Sequence, residues 1–252
     1  IEFAAINDNA YNLITRDREE SRHVLNVVAL VEKIERYQPD IVGFSCLVSN
    51  RKSTELVSKS LKERNPDMVV IGGGPDIHPA LRDVSGITIH AENMDYLIQG
   101  EGEQRILDFV KSLEAGKSPT LIPGVYDCRN MPGSNLYKGY EDRIDSLDTL
   151  PFPDFSDNPR FERFKNEAGW WLGVPVNFSR GCTGNCSFCN RNEYFSKMKY
   201  RSAGSVYAEI LRQNERYGEN SFVIIDDDPL AKPALEEIER LADLLINHRN
   251  RL

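Results

Sequence analysis

Cys182, Cys186 and Cys189 stand at CxxxCxxC spacing in the stretch Arg180-Gly-Cys-Thr-Gly-Asn-Cys-Ser-Phe-Cys-Asn190. Three thiolates on one short, glycine-bearing loop can fold around a single iron–sulfur cluster. Such clusters usually take four cysteine thiolates, so a triplet leaves one iron open to a ligand that is not cysteine. An open iron makes a cluster a site of chemistry as well as an electron relay. A zinc knot is the other reading of three close thiolates. It needs a fourth ligand in a closed tetrahedron, and the other candidates, Cys46, Cys128 and the four histidines, stand well away from the triplet. A second constellation, Asp226-Asp-Asp228, directly follows the apolar run Phe222-Val-Ile-Ile225. Carboxylates at a strand end suit a cationic amino group, and they equally suit the cap of a following helix.

These residues need elements to hold them. Val174-Pro-Val-Asn-Phe178 reads as the strand that presents the cysteine loop. Val206, Tyr207, Ile210 and Leu211 mark a helix ending near Gly218, and Phe222–Ile225 is the next strand. Pro233 then opens a helix with Leu235, Ile238, Leu241, Ala242 and Leu245 on one face. Further back, Ile1–Ile6 reads as a short strand, and Val24, Val27, Val28, Val31 and Ile34 repeat at helical spacing. Ile41-Val-Gly-Phe44, Met68-Val-Val-Ile71 and Asp95-Tyr-Leu-Ile98 are compact apolar strands, alternating with helices over Leu56–Leu61 and Glu103–Leu113. Continuous apolar strands between helices predict a parallel sheet covered on both faces, an α/β doubly wound domain of the Rossmann or flavodoxin kind. Sheets of this type bind ligands beyond the carboxyl ends of their strands. Those ends carry Ser45-Cys-Leu47, Gly72-Gly-Gly74 and Gly100-Glu-Gly102, where glycine permits close approach of a ligand and also serves any tight turn. The prolines at 119, 123, 132, 151, 153 and 159 break up residues 114–168 into a connector. The expected organisation is an N-terminal α/β domain over 1–113, a connector over 114–168 and a second domain over 169–252.

The cysteine triplet, with aromatic Phe188 before its last cysteine, resembles the signature of radical S-adenosylmethionine (SAM) enzymes. The resemblance implies a [4Fe–4S] cluster on Cys182, Cys186 and Cys189, with SAM chelating the open iron and being cleaved to methionine and a 5′-deoxyadenosyl radical. It places Phe188 near the SAM adenine and Asp226 or Asp227 near the SAM amino group, where the family often carries Gly-Gly-Glu in place of these acids. Arg180, Asn190 and Arg201 are further candidates for that pocket. Ser45-x-Leu47 and the glycines Gly72, Gly73 and Gly74 resemble two motifs of the cobalamin-binding domain that precedes many radical SAM modules. The Asp-x-His-x-x-Gly motif that gives cobalt a histidine is absent, so no cobalt ligand is carried over. Pro39–Ser45, Tyr96–Glu103, Leu121–Tyr126 and Leu147–Pro153 are also similar to that group.

The resemblance therefore implies a cobalamin-binding-like domain followed by the first two strand–helix units of a partial (β/α)6 barrel. Two of six units do not close a sheet, and the N-terminal domain is expected to lack its first strand and helix. The chain is accordingly expected to be a fragment, inert alone, of a cobalamin-dependent radical SAM enzyme. Methyl transfer to an unactivated carbon of a small-molecule, natural-product or lipid substrate is the leading reaction, with flavodoxin or ferredoxin as reductant. Rearrangement or cyclisation is the alternative within the group. The methylthiotransferase type would need three further N-terminal cysteines, and only Cys46 and Cys128 are there. A non-catalytic electron carrier or sensor, or a cobalamin-binding regulatory module, are readings of a different class.

Composition bounds these readings. A net charge of -8 over 252 residues and a pI near 5.2 argue against nucleic acid as a main partner. Arg191, Lys197, Lys199 and Arg201 form a local basic group that reads as a solvated loop or a contact for the SAM carboxylate. No apolar run approaches the roughly 20 residues of a membrane span. Five cysteines, three of them clustered, do not look like a disulfide framework, which points to reduced thiols and the cytosol.

Overall fold

A computed structural model describes residues 14–16, 23–74, 77, 93–130, 144–156, 173–184, 186, 187, 189 and 198–249, without the side chains of 14–16, 23–25, 48, 233 and 249. The expected strand Ile1–Ile6 and the residues Phe188, Asn190, Arg191 and Lys197 lie outside the described set. The chain divides into two units, Ile1–Arg143 and Ile144–Leu252. That division falls inside the stretch read as connector.

In the first unit, β1 (Ile14–Arg16) pairs antiparallel with β2 (His23–Leu25). Val24, counted above into a helical series, belongs to β2. Helix α1 (Val27–Glu35) starts later because Asn26 caps it, its Oδ1 accepting the Ala29 N–H at 3.0 Å. Strands β3 (Ile41–Ser45), β4 (Val69–Gly73) and β5 (Tyr96–Ile98) run parallel, with Ser45, Gly73 and Ile98 on one line at their carboxyl ends. Their apolar runs lead one to expect this, since both faces are covered. Val42, Phe44, Val70 and Leu97 point to one face, where they meet Val31 and Ile34 of α1 and Val57 and Leu61 of α2 (Arg51–Arg64). Ile41, Val69, Ile71, Tyr96 and Ile98 point to the other, against Phe109 and Val110 of α3 (Gly102–Glu114). The alternation follows from the two-residue period of a strand.

The fourth strand, β6 (Val125–Asp127), runs antiparallel to β5 and comes from the proline-marked stretch. It closes the sheet order β3-β4-β5-β6. An antiparallel neighbour needs no crossover helix, so a three-residue strand between a turn and a 3₁₀ segment suffices.

In the second unit, β7 (Val174–Val176) pairs parallel with β10 (Phe222–Ile224), and β8 (Ser179–Arg180) pairs antiparallel with β9 (Lys199–Tyr200). Helix α4 (Ala203–Tyr217) follows the N-cap Ser202 and ends at Gly218, whose φ of 64° is the left-handed conformation that glycine tolerates. Helix α5 (Leu235–Arg249) follows β10. Two consecutive strand–helix units result, β7–α4 and β10–α5. Their core joins Val176 and Phe178 to Ala203, Val206, Ile210 and Leu241, with Ile238 and Leu244 packed against it. The buried stripe of α5 is therefore Ile238–Leu241–Leu244, while Leu235 and Leu245 are exposed.

Candidate functional site

The cysteine loop begins from a turn whose backbone groups are almost all taken. Strand β7 ends at Val176, and the next three residues turn the chain into β8. Asp226, just beyond β10, reaches this turn with both carboxylate oxygens. Oδ1 accepts from the Phe178 N–H at 2.9 Å and from Asn177 Nδ2 at 2.8 Å, and Oδ2 accepts from the Ser179 N–H at 2.5 Å. Burial pushes the Asp226 carboxyl above the ordinary carboxylate range, while the donors of Ser179, Phe178 and Asn177 pull it down. The turn's carbonyls go to Arg201. Its N–H donates to the Phe178 carbonyl at 2.9 Å, and its Nη1 donates to the Asn177 carbonyl at 3.0 Å.

Arg201 is itself fixed. It forms a buried ion pair with Glu209 of α4, donates to Ser205 Oγ at 2.9 Å, and lies over the Phe152 ring at 5.5 Å. Arg201 thus serves as a buried brace, and its guanidinium faces protein partners instead of an open pocket. Glu209 and Asn177 went unnoticed in the sequence. Glu209 had a signal, since it sits among Val206, Ile210 and Gln213 on the buried side of a helix.

From this turn the chain passes through Gly181, at φ 100°, into Cys182. Cys182, Cys186 and Cys189 form no disulfide, with Cys182 and Cys189 partly buried and Cys186 exposed. The Cys189 N–H donates to the Cys186 carbonyl at 3.0 Å, which curls the second half of the loop. The Gly184 N–H donates to Cys182 Sγ at 3.2 Å. A Cβ at Gly184 would lie 3.3 Å from Cys182 Sγ and 3.7 Å from Cys186 Sγ. Two sulfurs therefore converge on the space that glycine leaves open. Asp228 Oδ2 accepts from Thr183 Oγ1 at 2.8 Å and lies 3.9 Å from Cys182 Sγ. Asp227 is exposed at the same strand end.

This donor set fits a cluster. Reduced thiols, a backbone N–H on one sulfur and a glycine cradle are what thiolate ligation of an iron–sulfur centre uses. Among the described residues no three His, Cys, Asp or Glu side chains converge on one ion; the sulfurs of Cys182 and Cys186 face one space, and Cys189 does not complete a set of three with them.

The first unit carries a separate site at the carboxyl edge of its sheet. Ser45 and Leu47 are exposed there. Asn50 clamps the loop between them, donating to the Ser45 carbonyl and accepting the Leu47 N–H, each at 2.8 Å. Of the three glycines Gly74 is the one the backbone requires, while Gly72 and Gly73 sit in tight but more yielding surroundings. A Cβ at Gly72 would meet Met94 Sδ at 2.4 Å, one at Gly73 the Ile98 carbonyl at 3.3 Å, and one at Gly74 (φ 97°) the Cys46 carbonyl at 2.9 Å and Ser45 Oγ at 3.4 Å. Ser45 and Gly74 thus lie side by side. The third turn is filled from within, since Arg105 donates to the Glu101 carbonyl at 2.8 Å and to that of Pro123 at 2.9 Å. Next to this edge the buried amide of Gln99 keeps one polar atom without a protein partner, which leaves a hydrogen bond for a polar ligand to make. A polar molecule bound over Ser45, Leu47 and Gly74 fits this edge.

Comparison with known proteins places two family models along the chain. The family model described as B12 binding domain matches residues 20–110, and that of the radical SAM superfamily matches residues 176–251. The chain is 26% identical over 207 residues to the anaerobic magnesium-protoporphyrin IX monomethyl ester cyclase of Rubrivivax gelatinosus, covering 79% of this chain and 35% of that protein. It is 28% identical to an uncharacterised methyltransferase of Pyrococcus horikoshii, covering 77% of this chain and 41% of the other. A cobalamin-dependent radical SAM methyltransferase of Streptomyces tokunonensis is 30% identical, over 61% of this chain and 22% of its own length. The chain thus spans less than half the length of these curated relatives.

Proposed function

We propose, for a chain that belongs to the B12-binding radical SAM proteins, that its two units are the cofactor-holding part of a cobalamin-dependent radical SAM methyltransferase. The observation that supports this best is the succession of the two family matches along one chain, each containing a strand-end loop with a fitting donor set. When bound, cluster and SAM supply radical chemistry and cobalamin supplies a transferable methyl group.

The residues then divide the work. Cys182, Cys186 and Cys189 hold the [4Fe–4S] cluster, and Gly184 leaves room between two of the sulfurs. Both oxygens of Asp226 are engaged by the turn before the loop, which suits it to positioning. Asp227, exposed at the same strand end, is the better candidate for the SAM amino group, with Phe188 at the adenine. Ser45, Leu47 and Gly74 line the approach for cobalamin, while Gly72 and Gly73 let the strands pack beneath it. The substrate is a small molecule, natural product or lipid with an unactivated carbon, and the reductant is a flavodoxin or ferredoxin of the cytosol. Among the described residues no helix is long and apolar enough to cross a membrane.

Similarity to a cyclase favours ring formation as the second reading. Anaerobic reconstitution tests the shared core. Iron and sulfide near four per chain, an EPR signal that SAM perturbs, and corrinoid absorption after incubation with cobalamin are expected. A cluster spectrum indifferent to SAM would remove the radical SAM assignment. Product analysis with the full-length protein then separates methyl transfer from cyclisation.

A further inference from the structure

We propose that Gln99 is a cobalamin-binding residue, whose buried amide donates to or accepts from a polar group of the corrinoid. The inference rests on the reading of the first unit as a cobalamin site. Gln99 stands one rung beyond the line Ser45–Gly73–Ile98 that ends the three parallel strands. Its N–H still donates to the Gly124 carbonyl at 2.8 Å, which continues the ladder with the chain leading into β6. By the strand's two-residue period its side chain follows Leu97 onto the face covered by α1 and α2.

The side chain is 1% exposed. Tyr126, the partner of Leu97 across the β5–β6 ladder, reaches it with its hydroxyl, 3.2 Å from the amide oxygen. The other amide atom has no hydrogen-bond partner in the protein. Buried polar groups are nearly always paired, and one left over in a native structure calls for a reason. A plain core position would favour an apolar residue here, since an unpaired buried amide destabilises the fold. Keeping the amide is what a binding site requires and what stability alone does not.

Its place narrows the ligand. Gln99 directly follows β5 at the carboxyl edge of the sheet, beside the strand that ends in Gly73. This is where a ligand of such a sheet sits. Cobalamin offers what a lone amide atom needs, since its periphery carries carboxamides and its nucleotide tail carries a phosphodiester and ribose hydroxyls.

The test uses the full chain, hydroxocobalamin and two variants. Gln99→Glu keeps the length and the oxygen facing Tyr126 but changes the unpartnered atom. Gln99→Met removes both polar atoms at similar volume. Circular dichroism verifies folding, and absorbance titration gives the dissociation constant. Loss of one hydrogen bond from a buried amide is expected to weaken cobalamin binding about tenfold in each. Wild-type binding with both folded variants within twofold of it overturns the assignment of Gln99 alone. A wild-type chain that binds no cobalamin overturns the cobalamin reading and this inference together.

Discussion

Asp226 allows the sharpest test of how the cysteine loop is held. Its carboxylate accepts from the N–H groups of Phe178 and Ser179 and from the Asn177 side chain. Phe178 and Ser179 are 0% and 2% exposed, so water does not readily replace a lost acceptor. Asn177 Nδ2 also donates to the Ser179 carbonyl at 2.8 Å and keeps one partner. Asp226→Ala therefore strands two buried N–H groups. At about 1–3 kcal/mol each, the variant should lose about 2–6 kcal/mol, a large part of the roughly 5–15 kcal/mol that holds a typical domain. Asp226→Asn keeps one acceptor oxygen and turns an NH₂ group toward the second N–H, so about half that loss is expected.

Denaturant unfolding followed by circular dichroism measures the loss, and iron content after reconstitution reports whether the loop still assembles its cluster. Both variants should lose cluster in proportion to stability. Two outcomes contradict this. Unchanged unfolding midpoints would mean that the three bonds carry little. An Asp226→Asn protein with full stability and full cluster, but no SAM-induced EPR change, would make Asp226 a SAM contact instead of a brace.

Other perturbations probe the neighbouring contacts. Gly184→Ala places a methyl 3.3 Å from Cys182 Sγ and should cut iron and sulfide per chain severalfold while the far-ultraviolet spectrum stays unchanged; full loading would show that the loop yields easily. Asp228→Asn removes a negative charge next to the sulfur of Cys182, a proposed cluster ligand. One charge at about 5 Å, with an effective dielectric between about 20 and 80, corresponds to roughly 40–140 mV, so an EPR-monitored titration should find the cluster potential raised by that order. Asp154 accepts from the N–H of Ser156 and from Tyr217 and pairs with Arg216. The Ser156 hydrogen bonds are the main reason its carboxyl is lowered from 3.8 to about 2. Because the folded value is the lower one, the stabilisation is present above pH 3.8 and is lost as pH falls toward 2. Asp154→Asn should accordingly show a shallower acid limb in unfolding curves between pH 4 and 2, and superimposable curves would refute the assignment.

The parts legible in the sequence were those with local signatures. The apolar runs at 41–44, 68–71 and 95–98 became parallel strands because a strand buried on both faces has to be apolar throughout. Gly218 after a periodic segment ended α4 because helices commonly stop at a left-handed glycine. Strand β6 has no local signature, because three residues behind Pro123 and Gly124 carry no periodicity, and only their pairing with β5 makes them a strand. The bracing of the loop was invisible for another reason. Asp226 meets residues 47 to 49 positions earlier in the chain, and nothing in a local window reports such a contact. Arg201 illustrates the ambiguity of a charge near a motif. It reads as a pocket residue until Glu209, hidden on the buried side of α4, takes its guanidinium inward.

The acids behind β10 change what the smallest cluster-holding unit must be. Asp226 fixes the turn before the cysteine loop, and Asp228 fixes Thr183 within it. Both come from the second strand–helix unit, whereas the three cysteines belong to the first. The first unit alone would leave the Phe178 and Ser179 N–H groups buried without acceptors, a penalty that a short two-stranded element cannot absorb. The loop therefore gains its shape only when β10 pairs with β7 and delivers the carboxylates. An acidic run in place of a glycine-rich motif then has a physical reason of its own: at least two of its three side chains hold the cysteine loop.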